Sequence, residues 1–320
     1  MNIINTIGNT PLVKLNHFGK EYGNNIYVKL EYFNPTCSLK DRIAKGMIEE
    51  AEKKGLIKPG DTIIENSSGN TATGLAMVAK QKGYNLILVV RDKLSIDKRR
   101  VLEAFDVKLI FSDSSLPVDH PMAYHNLPKT YAEKHKGIWF CNQHDNLDNP
   151  LTHYNTTGQE IWEQTNHKVD YFIAGMGTGG TLSGIGKALK EKNTDVKIIG
   201  VDPIGSVFKA YYYQEKLPQP KPHHLEGIGN AFPTSNIIRK YIDEVLELED
   251  KDALKLIREL IKTEGIIGGP SVGANLWGVL EIAKRNKGKN LNIVTLIGDT
   301  GYKYTSTIFN DKWLKEVFDK

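Results

Sequence analysis

Residues 171–181 read Tyr-Phe-Ile-Ala-Gly-Met-Gly-Thr-Gly-Gly-Thr, and this stretch decides the fold class. Its first five residues form a short apolar run typical of a buried strand, and a helical pattern starts at Gly180. Glycines without side chains allow backbone N–H groups to surround an anion at the positive end of such a helix. The stretch therefore predicts a strand, a phosphate-binding loop and a helix, which together form the repeating unit of an α/β protein.

The same alternation of strand and helix continues along most of the 320 residues. It predicts an α/β fold of mainly parallel sheets with helices on both faces, and the length indicates about two domains. The predicted strands are 62–65, 86–90, 107–111, 137–141, 171–175, 197–202 and 292–297. The predicted helices are 41–54, 71–82, 96–105, 180–192, 251–263 and 273–285.

The composition excludes several classes of function. The 42 basic and 38 acidic residues are spread without a block of like charge, so we expect no nucleic-acid partner and no membrane partner. Two cysteines, Cys37 and Cys141, are too few for a disulfide framework. The chain start lacks the pattern of a signal peptide, and no apolar run is long enough to span a membrane. We therefore expect a cytoplasmic enzyme. The histidine spacing matches no zinc site, so we also expect no metal.

The glycine loop by itself allows three interpretations. It can bind the phosphate of a cofactor, or it can be a tight strand–helix turn without a ligand. Gly175, Gly177 and Gly180 also match a dinucleotide fingerprint, with Asp202 at the end of the next strand. An NAD-dependent dehydrogenase that uses the Gly175–Gly180 loop is therefore an alternative from a different reaction class.

A second stretch, residues 34–42, reads Asn-Pro-Thr-Cys-Ser-Leu-Lys-Asp-Arg. It places Lys40 at the start of a predicted helix, after a proline-containing turn and a serine cap. A lysine held in this way suits an enzyme whose amine forms a Schiff base with a carbonyl. The alternative is a solvent-facing surface lysine, as most lysines are.

Two further turns precede predicted helices. Residues 66–71, Asn-Ser-Ser-Gly-Asn-Thr, combine hydroxyls and free N–H groups that either bind a carboxylate or only cap the helix. Ser271, in residues 268–273, either contacts a ligand or is only an N-cap.

These motifs, in this order, resemble the fold-type II pyridoxal-phosphate enzymes of the cysteine synthase and cystathionine β-synthase group. The resemblance covers essentially the whole chain. It implies a tryptophan synthase β-like fold with two open, mainly parallel twisted sheets flanked by helices, and a homodimer. It also implies a smaller mobile domain at 43–151 that closes on the substrate, and a larger cofactor-binding domain at 1–42 and 152–320. The supporting motifs are Ile7–Leu12, Gln143, Asn149–Tyr154, Glu226–Gly229 and Asp299–Gly301.

Carried over position by position, the resemblance implies a role for each motif. Lys40 would hold pyridoxal 5′-phosphate and move the Cα proton of the substrate. Asn70 would bind the ring hydroxyl of the cofactor, and Ser271 would face the pyridine nitrogen. Its phosphate would be held by Gly177, Thr178, Gly179, Gly180 and Thr181. The α-carboxylate of the amino acid would be held by Ser67, Ser68, Gly69, Asn70, Thr71 and Gln143.

The implied reaction is β-replacement through an aminoacrylate intermediate. The substrate would be an activated serine derivative, serine or cysteine, and the co-substrate a thiol or sulfide. The first hypothesis is the cysteine synthase reaction, O-acetylserine plus sulfide to cysteine. The alternatives are condensation of the cystathionine β-synthase type and release of sulfide from cysteine. A catalytically silent relative that only binds partners is a further alternative.

The chain departs from the family pattern at several positions, among them Ser67, Gly298 and Thr300, and at two that bear on the pocket, Cys37 and Ala72. The group usually has glycine at the position of Cys37, where we expect the thiol to pack in the interior as a small apolar group. Ala72 stands where glycine is typical, and we expect its methyl group to affect the substrate loop. Both departures bear on the substrate rather than on the cofactor.

Overall fold

The central strands of a six-stranded sheet are short apolar runs, because parallel strands are buried on both faces. The computed structural model describes residues 1–117 and 119–318. Strands run in the order β1-β2-β10-β7-β8-β9, and all are parallel except β1, which pairs antiparallel with β2. These strands are β1 (Leu12–Lys14), β2 (Asn25–Leu30), β7 (Tyr171–Gly175), β8 (Lys197–Pro203), β9 (Glu244–Leu248) and β10 (Asn292–Ile297).

A second, fully parallel sheet has four strands in the order β5-β4-β3-β6. All of its strands come from the middle of the chain. They are β3 (Thr62–Asn66), β4 (Asn85–Arg91), β5 (Lys108–Ser112) and β6 (Ile138–Phe140).

Helices cover both sheets and bury one apolar face each. The first helix, α1, buries Ile43, Met47 and Ile48 against the core of the smaller sheet. None of the helices that the structure describes is both long and apolar enough to cross a membrane. The helices are α1 (Lys40–Lys53), α2 (Asn70–Lys82), α3 (Ile96–Ala104), α4 (Leu127–Lys134), α5 (Asp148–Asn155), α6 (Thr157–Gln164), α7 (Gly180–Lys192), α8 (Phe208–Tyr212), α9 (Asp250–Glu264), α10 (Pro270–Arg285) and α11 (Asp311–Phe318).

The predicted strands and helices all occur, and so do the mainly parallel sheets. The elements that were not predicted are strands β1, β2 and β9 and helices α4, α5, α6, α8 and α11. Helices α5 and α6 were missed because Asn, Pro and Thr in residues 148–157 are weak helix formers, and tertiary packing overrides that preference. Strand β2 was missed because its buried residues include Lys29, a residue type that is almost never fully buried.

The division into two domains stays a prediction. The strands of the smaller sheet lie within residues 62–140. The predicted boundaries at 43 and 151 fall inside α1 and α5. Val118 of the smaller predicted domain, and Asp319 and Lys320 of the larger one, lie outside the described residues.

A buried ion cluster fastens the start of α1 to the larger sheet. Arg42 is 2% exposed, and its guanidinium donates to Glu31 (2.7 Å) and to Glu160 (2.7 Å). The Lys29 ammonium also lies 2.6 Å from Glu160. These cations hold the pKa of Glu160 at about 2 although burial opposes ionisation. The cluster joins β2, α1 and α6 just beyond Lys40.

We expect Glu160→Gln to lower the free energy of unfolding at pH 7 by about 3 kcal/mol, because it leaves Lys29 and Arg42 short of a carboxylate. The pKa of Glu160 is depressed in the folded state, so its contribution is complete above the ordinary glutamate pKa of 4.5 and is lost as the pH falls towards 2. Urea unfolding at pH 7, 5 and 3 measures this, and the difference from wild type should shrink below pH 4.5.

Glu163→Gln is the matched control, since Glu163 lies on the same helix with a side chain 69% exposed. Its loss should cost less than about 0.5 kcal/mol. A cost of Glu160→Gln that did not change with pH would contradict an electrostatic role.

Candidate active site

The backbone around Lys40 is tied to the end of β10. Lys40 is the first residue of α1, and its N–H donates to the Ser38 hydroxyl (3.2 Å). The Leu39 N–H donates to the carbonyl of Gly298 (2.8 Å), and Ser38 pairs with Asp299. Ser38 therefore accepts a hydrogen bond as predicted, although the N-cap position itself is Leu39. Lys40 is thus fixed by main-chain contacts on both sides.

The amine of Lys40 lies in a desolvated environment. Burial lowers its pKa to about 8, and the negative charge of Asp299 opposes this only partly. Among the described residues, no acceptor lies within hydrogen-bonding distance of Nζ. A lysine with these properties is a usable nucleophile near neutral pH, unlike the solvent-facing alternative.

The hydroxyl-rich turn forms the start of α2 beside Lys40. Helix α2 begins at Asn70, and the first N–H groups of a helix have no partner within it. The Thr71 hydroxyl donates to Gln143 Oε1 (2.7 Å). Gln143 is itself held by its N–H, which donates to the buried carboxyl group of Glu65 (3.1 Å). Burial raises the pKa of Glu65 to about 8. These hydrogen bonds fix the turn against Gln143 and Glu65, and residues of the turn line the larger cavity.

The glycine loop brings a second helix N-terminus to the same place. Gly179 precedes α7 with φ +87°, a left-handed conformation that favours glycine. A Cβ on Gly177 would lie 2.4 Å from the carbonyl oxygen of Gly227, so only glycine fits there. The Thr178 hydroxyl accepts a hydrogen bond from Asn149 (3.0 Å). The loop therefore combines a helix N-terminus with two nearby hydroxyls, those of Thr178 and Thr181.

Two cavities that share residues connect these motifs. The smaller one, about 50 Å³, is lined by Lys40, Asn70, Ser271 and the glycine loop. The larger one, about 780 Å³, extends from Lys40 over the hydroxyl-rich turn to Gln143. Of the predicted site residues, Gly180 alone lines neither. A Cβ there would lie 2.0 Å from Asn149 Oδ1, so Gly180 instead allows Asn149 to pack against the loop.

Ser271 is not an N-cap. Helix α10 begins at Pro270 after Gly269, so Ser271 lies in its first turn, with its side chain on the wall of the smaller cavity. Because its backbone is already helical, its hydroxyl is available to a ligand.

These residues fit a phosphate ester that carries an aldehyde. The close approach of Gly177 to Gly227 leaves a side-chain-free wall, and α7 offers N–H donors to a phosphate. The amine of Lys40 lies in the wall of the same cavity with no partner among the described residues. Among the residues that the structure describes, no group of three or more His, Cys, Asp or Glu side chains is placed to hold a metal ion.

Several charged residues at the site were not predicted as site residues. Asp299 and Glu226 line the smaller cavity, and Lys98 and Lys303 line the larger one. Lys98 and Glu226 form an ion pair (2.6 Å) across the opening between α3 and the loop before Gly227. Two of these residues could have been found, because Asp299 and Glu226 lie inside motifs that carry the resemblance.

The expectation for Cys37 was wrong. Cys37 is exposed and lines the larger cavity, whereas Cys141 is a buried free cysteine. Cys37 has φ +56°, so it occupies a left-handed position that suits glycine and its side chain is directed away from the core.

Ala72 does not line either cavity, so its effect on the substrate loop stays a prediction. Ala72 is 0% exposed and packs in the core of the smaller sheet, outside both cavities. It lies in the first turn of α2, and its methyl group is on the face of the helix that is turned away from the cavity.

Asp202 is placed unfavourably for a dinucleotide ribose. It is 0% exposed, and its carboxylate accepts the N–H of Lys209 (2.8 Å) in the first turn of α8. Because the Asp202 carboxylate is buried and already accepts this hydrogen bond, it is not placed to bind a ribose hydroxyl, and the dehydrogenase alternative is not supported.

Comparisons with known proteins agree with this geometry. A family model described as pyridoxal-phosphate dependent enzyme matches residues 3–299. The chain belongs to that family. The predicted family and cofactor are thereby confirmed, and the protein is an enzyme of the pyridoxal-phosphate-dependent class.

Individual relatives narrow the family to the cysteine synthase and cystathionine β-synthase group. The chain is 39% identical over 313 residues to cysteine synthase 3 of Caenorhabditis elegans, covering 98% of this chain and 90% of the relative. It is 40% identical over 315 residues to cystathionine beta-synthase of Apis mellifera, covering 98% of this chain but 62% of that relative. The chain thus spans less than two thirds of the length of the bee protein.

A solved structure confirms the predicted fold. The crystal structure of a hydrogen sulfide-producing enzyme from Fusobacterium nucleatum matches with a TM-score of 0.86 and 40% identity. The match covers 94% of this chain and 97% of the other.

We expect the apo-enzyme to capture pyridoxal 5′-phosphate with a rate that rises through a midpoint near pH 8, since the neutral amine of Lys40 is the nucleophile. At pH 7 about one in ten such amines would be neutral, against about one in several thousand for an ordinary lysine. Stopped-flow absorbance of the lysine-bound cofactor measures the rate. Lys40→Ala should abolish the signal, and Lys45→Ala, one turn further along α1, should not. A midpoint above pH 10 would contradict the desolvated amine.

We expect Gly177→Ala to weaken cofactor binding by tenfold or more, because the new methyl group must displace the carbonyl of Gly227. Gly298→Ala is a matched substitution in the same cavity wall, where the Cβ would meet its nearest atom at an ordinary 3.5 Å. Equilibrium binding to both variants, with thermal melts to check folding, makes the comparison. Equal affinities would show that the approach to Gly227 is unimportant.

Proposed function

We propose that the enzyme catalyses β-replacement on an activated serine derivative, serine or cysteine, and that its main reaction is of the cysteine synthase type. The observation that carries this proposal is the desolvated amine of Lys40 between the N-termini of α2 and α7. One helix is suited to a carboxylate and the other to a phosphate, and the amine lies within reach of a substrate bound between them.

Each residue of the site would bind a different group of the cofactor. The α7 N-terminus would bind the phosphate, with the hydroxyls of Thr178 and Thr181. Ser271 would face the ring nitrogen, and Asn70 the ring hydroxyl. Bound pyridoxal phosphate would supply an electron sink for the electrons released when the Cα proton leaves the substrate.

The substrate would be held by the turn at 67–71. Its α-carboxylate would accept hydrogen bonds from the first N–H groups of α2 and from the hydroxyls of Ser67 and Ser68, with Gln143 alongside. The Thr71 hydroxyl is already directed to Gln143, so the two act as one preorganised unit.

Lys40 would then act on the proton. Its amine takes the Cα proton, the bond from Cβ to the acetate oxygen breaks, and acetate leaves with the electron pair. Sulfide adds to Cβ to form the new C–S bond, and Lys40 returns the proton to Cα. With cysteine as substrate, the leaving group is sulfide itself.

Ser271 favours this chemistry over transamination or racemisation. A neutral hydroxyl does not stabilise a protonated ring nitrogen as a carboxylate would. The weaker electron sink suits a reaction in which the β-leaving group removes the electrons.

Sulfide release from cysteine is the second candidate. It is favoured by the likeness in fold and sequence to the hydrogen sulfide-producing enzyme of Fusobacterium nucleatum. The larger cavity, about 780 Å³, also leaves room for a second amino acid as nucleophile, as in condensation of the cystathionine β-synthase type. We also propose closure of the smaller domain over the substrate, a homodimer and a cytoplasmic location.

The test is a comparison of substrates on one preparation of holoenzyme. O-acetylserine with sulfide, serine with homocysteine, and cysteine alone are supplied separately, and cysteine, cystathionine and sulfide are measured. We expect the largest kcat/KM for O-acetylserine with sulfide, and complete loss with Lys40→Ala. Lys45→Ala should retain activity.

A larger kcat/KM for cysteine alone would reverse the order of the two candidates. A holoenzyme that transaminates these amino acids and releases no β-substituent would overturn the proposal.

A further inference from the structure

Asp299 links the two sides of the site. It follows β10 and is 3% exposed. Its Oδ2 accepts hydrogen bonds from Asn70 Nδ2 (2.7 Å) and from the Tyr304 hydroxyl (2.6 Å). A carboxylate on the larger sheet thereby holds the first residue of α2, which packs on the smaller one.

Lys303 holds the other end of the same amide. Its ammonium donates to Asn70 Oδ1 (2.7 Å) and to the carbonyl of Thr36 (2.9 Å) in the loop before Lys40. A lysine ammonium can only donate, and a carboxylate can only accept. The pair therefore allows one orientation of the Asn70 amide, with nitrogen towards Asp299 and oxygen towards Lys303.

The amide nitrogen carries two hydrogens, and the bond to Asp299 uses one of them. Asn70 also lines both cavities beside Lys40. A flipped amide would present its oxygen, which cannot donate to an ionised ring oxygen. The orientation of this amide thus decides whether Asn70 can serve as a donor.

We propose that Asp299, assisted by Lys303, is a positioning residue that fixes the Asn70 amide so that its second N–H donates to the ring oxygen of bound pyridoxal phosphate. This inference rests on the proposed function, because it requires that cofactor in the cavity. Asp299 acts through Asn70 and does not itself take part in the reaction.

Protonation of Asp299 does not change the orientation. Burial raises the pKa of Asp299, but Oδ2 already accepts two hydrogen bonds. Oδ1 has no hydrogen-bond partner among the described residues, so a proton would reside there. Oδ2 would continue to accept from Asn70.

Charge and orientation have opposite effects on binding. The negative charge of Asp299 repels an ionised ring oxygen, so loss of charge alone would strengthen cofactor binding. Loss of orientation weakens it. Whether cofactor affinity rises or falls on substitution of Asp299 therefore distinguishes a charge effect from an orientation effect.

The experiment measures the equilibrium affinity of the full-length apo-enzyme for pyridoxal 5′-phosphate and for 3-deoxypyridoxal 5′-phosphate, which lacks the ring hydroxyl. The ratio of the two affinities isolates the contact with the ring oxygen. We expect Asp299→Ala to lower this ratio about tenfold, the value of one hydrogen bond to a charged group. Asp299→Asn keeps an acceptor oxygen without the charge and should restore most of the ratio. Asn70→Ala should lower the ratio as well, and adding Asp299→Ala to it should have no further effect.

Asp202→Ala is the matched control. Asp202 is also buried, also has an unpartnered Oδ1 among the described residues, and lies outside both cavities. Its substitution should leave the ratio unchanged. If Asp299→Ala fails to fold, the exposed Lys303→Met and Lys303→Gln replace it. Both remove the charge, but glutamine keeps a donor for Asn70 Oδ1, so the ratio should be lower in Lys303→Met than in Lys303→Gln.

Equal weakening for both compounds, or a ratio that rises, would overturn the role of Asp299 and leave the proposed function intact. A wild-type enzyme that binds neither compound would overturn the proposed function as well.

Discussion

The buried guanidinium of Arg42 is the contact on which the rest of the site depends. Helix α1 packs on the smaller sheet, yet Arg42 in its first turn binds Glu31, which directly follows β2 of the larger sheet, and Glu160 of α6. A buried ion pair adds little stability compared with a well-packed apolar contact, but breaking one is costly, since it leaves a charge without a partner. The main role of the cluster is therefore to fix the position of α1 relative to β2 and α6. Lys40, two residues earlier, is held in one place relative to both walls of the cavity.

Once Lys40 is fixed, the charges around it explain its reactivity. The N-termini of α2 and α7 both carry partial positive charge, and both line the cavity that Lys40 enters. Such a cavity is suited to a ligand with a phosphate and a carboxylate. Asp299 is the opposing charge, and it raises the pKa of Lys40 less than burial lowers it. Among the described residues, no carboxylate forms an ion pair with Lys40, so burial is the larger of the two effects on its pKa.

Local patterns revealed much of the fold and part of the site. The strands of both sheet centres are continuous apolar runs, and the glycine loop needs little tertiary information to be recognised. The motif with Asp299 was visible, but its role was not. A hydrogen bond between residues 70 and 299 depends on two sheets meeting, and no local pattern records that. The orientation of Ala72 was missed for the same reason, since only the packed helix shows which face of α2 is turned to the core.

Cys37 occupies a backbone conformation that suits the glycine expected at its position. The φ of +56° is the conformation that a glycine adopts readily, and a side chain there costs about 1 kcal/mol. The loop retains it because the Cys37 N–H donates to the Asn34 carbonyl (2.8 Å) and the neighbouring Thr36 N–H donates to Asp41 (2.7 Å). These bonds hold the main chain before Lys40 whatever residue stands at 37. The thiol consequently forms part of the wall of the larger cavity, while these main-chain bonds hold the loop before Lys40.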